Sequence, residues 1–105
     1  MERKIEELLM KMGFEPAQKG FVLIVKSVVV ILKNNCNSLK VSEIYNEVCG
    51  GEIKYCTYDR NVRRAIEYAY ISDCDLYREM FNGQRPKLKD ALYRIALMVK
   101  MKEEE

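Results

Sequence analysis

Apolar residues recur at helical spacing along most of the chain. Ile5, Leu8, Leu9 and Met12 make one stripe, which predicts an amphipathic helix over residues 2–12, ended by Gly13. Residues 14–20 form a connector whose path Pro16 helps to fix. Residues 21–32, FVLIVKSVVVIL, are apolar almost throughout, broken only by Lys26 and Ser27. A bilayer span needs about 20 apolar residues, so this run is too short to be one. Its valines would suit a buried strand. Its length and its helical neighbours suit a helix buried on most sides. The helix is the expectation, from Gln18 to Lys33, with Asn34, Asn35 and Asn37 ending it. Val41, Ile44, Tyr45 and Val48 predict a further helix, closed by Gly50 and Gly51. Residues 52–56, EIKYC, then read as a loop pinned to the core by Ile53 and Tyr55, or as one half of a two-stranded wing.

Residues 57–72, TYDRNVRRAIEYAYIS, are the stretch around which the rest is organised. Val62, Ala65, Ile66 and Ala69 fall on one face. Arg60, Arg64 and Glu67 fall on the opposite one, flanked by Asn61 and Arg63. Thr57 is placed to cap the amino end, and Asp59 suits the positive end of the helix dipole. Arginine and asparagine can make bidentate contacts to guanine and adenine edges in a major groove. An ordinary amphipathic surface helix has the same pattern, so the rest of the chain must decide.

Ser72 and Asp75 stand at capping-box spacing before a short helix to Phe81 that would bury Leu76, Tyr77 and Met80. Asn82 and Gly83 end it. Pro86 suits a first helical position. The last helix, from Lys87 to Met101, would bury Leu88, Leu92, Ile95, Ala96 and Val99, leaving residues 103–105 as a frayed acidic tail. The expected fold is all-α: six helices in a single domain over residues 1–105, containing a helix-turn-helix.

At 105 residues there is room for one core, and the net charge of +2 alone points to no partner. The distribution is more informative. Residues 84–102 carry Arg85, Lys87, Lys89, Arg94, Lys100 and Lys102 against Asp90, six positive charges less one, or +5. A basic segment of this kind beside the Arg-rich front of residues 57–72 pairs a phosphate-holding element with a base-reading one.

Other chemistry is thinly represented. The four cysteines, Cys36, Cys49, Cys56 and Cys74, lack C-x-x-C spacing, and there is no histidine, so neither a metal nor any other cofactor is expected. The amino terminus has no signal-peptide core, which suggests a cytoplasmic protein with reduced, mostly buried thiols and no membrane association. A histidine acid or base is excluded, a cysteine nucleophile would lack its usual partner, and no Gly-rich phosphate loop is present, so an enzyme is not expected. The seven tyrosines could stack on bases. Tyr45, Tyr70 and Tyr77 stand at core-type positions, however, and Tyr58 and Tyr68 near the edge of the apolar face, so packing accounts for most of them.

Two patches resemble a known family. Residues 8–21, LLMKMGFEPAQKGF, are similar to the LL-x-x-x-G-x-P-x-x-x-KG-aromatic pattern of the carboxy-terminal effector domains of the stage-zero sporulation protein A family, with the proline one position later. Residues 61–69, NVRRAIEYA, are similar to that family's RVERAIRHA, and Arg85-Pro86 matches its basic-Pro step. The resemblance spans residues 8–100. It implies a six-helix domain that binds short repeated promoter boxes in double-stranded DNA, as a homodimer on tandem sites, and that regulates transcription through RNA polymerase. Arg64 takes the place of the family's recognition-helix arginine. Arg63 stands where the family has an acidic residue and Glu67 where it has a second arginine, so these two charges are swapped. The turn before this helix is also longer. No receiver precedes the effector-like part, which implies either a free-standing effector, governed by concentration or a partner, or a fragment.

Two functions follow. In the first, Arg60, Asn61, Arg63, Arg64 and Glu67 face a DNA groove, Arg64 contacts guanine, and Arg85, Lys87 and Lys89 hold phosphates. In the second, a helical interaction module keeps the fold and binds a regulator or a polymerase subunit. A continuous positive face joining Arg60, Arg64, Arg85 and Lys87 favours the first; scattered charge or an exposed apolar patch favours the second.

Overall fold

The apolar run at residues 21–32 lies within a helix that four others touch. The computed structural model describes residues 2–104 and contains six helices: α1 (Glu2–Lys11), α2 (Lys19–Lys33), α3 (Val41–Cys49), α4 (Tyr55–Ser72), α5 (Asp75–Phe81) and α6 (Leu88–Glu104). No strand occurs among the described residues. Helix α2 packs against α1, α3, α4 and α6, which is why so little of it is polar. Phe21, Ile24, Val25, Val28 and Ile31 are buried there. Ile5, Leu8 and Leu9 from α1, Ile44 from α3, Val62, Ala65, Ile66 and Ala69 from α4, and Ala91, Leu92, Ile95, Ala96 and Val99 from α6 join the core around it.

The one polar side chain buried in α2 has a clear role. Ser27 donates its hydroxyl to the Leu23 carbonyl at 2.7 Å and accepts from the Tyr58 hydroxyl at 2.6 Å. A pair of buried hydroxyls is thus satisfied across the α2–α4 contact, as burial requires. Tyr58, expected at the edge of the apolar face, is fully buried. Its burial pushes the phenol pKa up to about 12.

Several expected boundaries shift, each for a local reason. Helix α4 begins at Tyr55 with Lys54 at the cap position, so Thr57 lies inside the helix and caps nothing. The Tyr55 ring stands edge-on to Tyr45 at 5.3 Å, and the Tyr45 hydroxyl donates to the Ile53 carbonyl; together these draw residues 55 and 56 into the helix. Gly50, at φ 55°, ends α3 in the left-handed conformation, and residues 50–54 form a plain turn with no wing.

Ser72 closes α4 rather than capping α5: its hydroxyl donates to the Tyr68 carbonyl at 3.0 Å, with the Gly13 carbonyl 3.4 Å away, and Cys74 holds the α5 cap position. Pro86 stands two residues ahead of Leu88, outside α6, where it constrains the incoming chain instead of starting the helix. Helix α6 continues past Met101 to Glu104, so Glu103 is helical; Glu105 of the expected tail lies outside the described residues. Tyr70 is 40% exposed, with one ring edge against Tyr77. Of the thiols only Cys49 is buried, and burial raises its pKa; Cys36 and Cys74 are half-buried and Cys56, in the added first turn of α4, is exposed.

Candidate nucleic-acid interface

The first turns of α4 form a ridge between two grooves. The larger, about 510 Å³, separates α4 from the chain entering α6 and is lined by Arg60, Arg63, Arg64, Glu67, Arg85 and Pro86 among others. The smaller, about 310 Å³, separates α4 from the amino end of α2 and is lined by Gln18, Lys19, Gly20, Thr57 and Asn61. Arg60 and Arg64 border both grooves. They are one helical turn apart and exposed, so they crown the ridge.

Packing sets this ridge in place. Val62, Ala65, Ile66 and Ala69 are all buried, which fixes the rotation of α4 and turns Arg60, Arg63 and Arg64 outward. Gly20 sets the spacing to α2. A Cβ there would fall 2.1 Å from the Asn61 carbonyl oxygen and 2.9 Å from the Ala65 Cβ. Only glycine lets the amino end of α2 come this close, and that approach brings Gln18 and Lys19 beside Arg60 and Arg64.

Charge is divided unevenly over the larger groove. Arg63 pairs with Asp59, one turn earlier, at 2.9 Å. Arg85 donates to Glu67, a contact that holds the Arg85 guanidinium pKa above its ordinary value. Arg60 and Arg64 form no ion pair or side-chain hydrogen bond among the described residues. The two guanidiniums free to bind a new acceptor are therefore those at the crest. The loop carrying Arg85 is itself held: the buried Tyr77 donates its hydroxyl to the Gln84 carbonyl at 3.0 Å, and its pKa is pushed up to about 12 by that burial.

The expected site residues divide accordingly. Arg60, Arg63, Arg64, Glu67 and Arg85 come together at the larger groove, while Asn61 is half-buried in the smaller one. Lys87 is exposed just before α6, and its carbonyl accepts the Ala91 N–H at 2.9 Å. Lys89 lies elsewhere. Its ammonium is 3.4 Å from the Ser38 hydroxyl and 5.8 Å from the centre of the Tyr93 ring, beside the connector between α2 and α3. Sequence reasoning missed Gln18, Lys19 and Thr57; the Lys19-Gly20 pair at the head of the apolar run was the available signal.

Guanidiniums at the crest can grip planar acceptors bidentately, and the uncapped amino end of α2 offers backbone N–H groups alongside. No group of three or more potential metal ligands occurs among the described residues. Comparison with known protein families, with curated proteins and with solved structures finds no match to this chain.

Proposed function

We propose that this protein is a sequence-specific regulator of transcription that places α4 in the major groove of double-stranded DNA, in the manner of the sporulation effector family it resembles. The observation that carries this reading is the crest of α4. Arg60 and Arg64, free of carboxylate partners among the described residues, stand between two grooves. Each groove is walled by the start of another helix, with Lys19 on one side and, just past the paired Arg85, the exposed Lys87 on the other. Base-reading side chains flanked on both sides by phosphate-holding elements is the arrangement that groove recognition requires. Helices α3 and α4, joined by the turn at residues 50–54, act as the helix-turn-helix. Tandem sites occupied by two copies, and contact with RNA polymerase, belong to the same proposal.

Binding to a fluorescent duplex carrying tandem family-type boxes, against a scrambled duplex and across a salt series, tests it. Tighter binding to the boxes with a steep salt slope is the expected result. Arg64→Ala should then lose about 1–3 kcal/mol of discrimination and relax base preference. Lys87→Ala should weaken every duplex alike and lower the salt slope by about one unit. Parent-like discrimination by the Arg64 variant would show that another face of α4 meets the bases.

A second reading has its own support. Ile71 is 70% exposed near the end of α4 and Met101 64% exposed on α6, and half of the arginines on the larger groove are already paired. A helical module that binds a regulator or polymerase subunit would present such residues. Absence of DNA binding even at low salt favours it and calls for a search for the protein partner.

A further inference from the structure

Four guanidiniums line the larger groove, and two carboxylates of the same groove are matched to two of them. The two pairs differ in kind. Asp59 and Arg63 are neighbours on one helix, four residues apart. Glu67 and Arg85 are 18 residues apart and join α4 to the loop entering α6. Both ends of this second pair hang from fixed backbone. Glu67 follows the buried Ile66, and Arg85 follows Gln84, whose carbonyl is held by Tyr77.

We propose that Glu67 is a specificity-determining residue: by holding Arg85 it withholds one phosphate-binding charge from the DNA face and leaves recognition to Arg60 and Arg64. This rests on the DNA-binding reading above. For Arg85 to take a phosphate it must leave Glu67, and the released carboxylate then faces a polyanion. Non-specific binding is almost wholly electrostatic, and a non-specific complex adopts whichever orientation makes most phosphate contacts. It is therefore the complex that suffers most from a masked arginine. A specific complex is distinguished from it by contacts from Arg60 and Arg64 to base edges, which the Glu67–Arg85 pair leaves untouched.

The test compares the parent, E67Q, and E67Q/R85Q on the boxed and scrambled duplexes across a salt series, with helicity checked by circular dichroism. E67Q should bind the scrambled duplex more tightly. Its salt slope should steepen by about 0.9, which makes the affinity loss over a fourfold rise in salt about 3.5-fold larger than the parent's. Its preference for the boxed duplex should fall. E67Q/R85Q removes the unmasked cation with the carboxylate and should return the slope to the parent value; a purely structural role for Glu67 would not be reversed in this way. If the parent prefers the boxes and E67Q keeps the parent's slope and preference, the inference fails and the DNA-binding reading stands. If the parent binds neither duplex, both fall together.

Discussion

Helix α4 meets α2 and α6 in opposite ways. Against α2 the buried part of the contact is close: a backbone approach that only Gly20 permits, and a buried Ser27–Tyr58 hydroxyl pair. Against the start of α6 there is an open groove of about 510 Å³, bridged by a solvent-exposed ion pair. A close-packed contact resists displacement because every neighbour must move with it. A surface ion pair is screened and easily exchanged for another partner. The α2 side therefore fixes where the arginine crest stands, and the α6 side determines how much charge accompanies it.

The severest way to break this contrast is at Gly20. Gly20→Val puts a branched side chain where even a Cβ would lie 2.1 Å from a backbone oxygen, which cannot swing aside as a side chain end could. A loss of about 3 kcal/mol or more is expected, at the upper end for overpacking. The midpoint of denaturant unfolding measures it. The proposed DNA binding should fall as well, since α2 and the crest would separate. A variant as stable as the parent would mean that α2 yields as readily as the α6 side does.

What the sequence made legible, and what it did not, follows the same division. The buried stripe of Val62, Ala65, Ile66 and Ala69, and with it the outward face of Arg60 and Arg64, came from periodicity, because a single helix carries both. The other amphipathic helices were legible for the same reason, whereas α2, apolar almost throughout, was legible only from its length and its helical neighbours. The start of α4 was not, because it depends on Tyr55 meeting Tyr45 from another helix. Lys89 looked like part of a basic cluster; its neighbours Ser38 and Tyr93 are brought to it by the tertiary fold, and Ser38 is 51 residues away in the chain. The Glu67–Arg85 contact, spanning 18 residues, is invisible to any helical pattern. Local periodicity can orient a helix face, but the partners of that face are set by packing between elements.

Tyr58 sharpens the comparison at intermediate magnitude. Its pKa rises from 10.0 to about 12 on folding. Between those values the unfolded chain releases the phenolic proton while the folded protein keeps it. The unfolded state then binds fewer protons, so stability falls as pH rises through this window, by up to about 1.4 kcal/mol per pH unit from this residue. Tyr77, also raised to about 12, acts in the same direction. Urea unfolding at a series of alkaline pH values should show the decline, with no corresponding effect below pH 9 from either group. Tyr58→Phe should cost about 1 kcal/mol at neutral pH, since Ser27 still has the Leu23 carbonyl as acceptor and no buried donor is orphaned. It should also flatten the alkaline decline, leaving the part that belongs to Tyr77. An undiminished decline in that variant would place the titration outside the α2–α4 contact.

The smallest stability effect is expected on the other side of α4. The Glu67 and Arg85 side chains are 42% and 58% exposed, so solvent screens the pair. Arg85 already has its place in the fold from the Tyr77–Gln84 hydrogen bond, and Glu67 has its place from the buried stripe of α4. Neither needs the other to stay folded. Glu67→Gln should accordingly leave the denaturant midpoint at neutral pH indistinguishable from the parent's. The same variant is expected to change the salt dependence of DNA binding, so stability and charge presentation should separate in a single substitution. A clear fall in the midpoint would show that the ion pair holds α6 to α4. The groove would then owe its shape to that contact, and the two sides of α4 would differ in chemistry but not in rigidity.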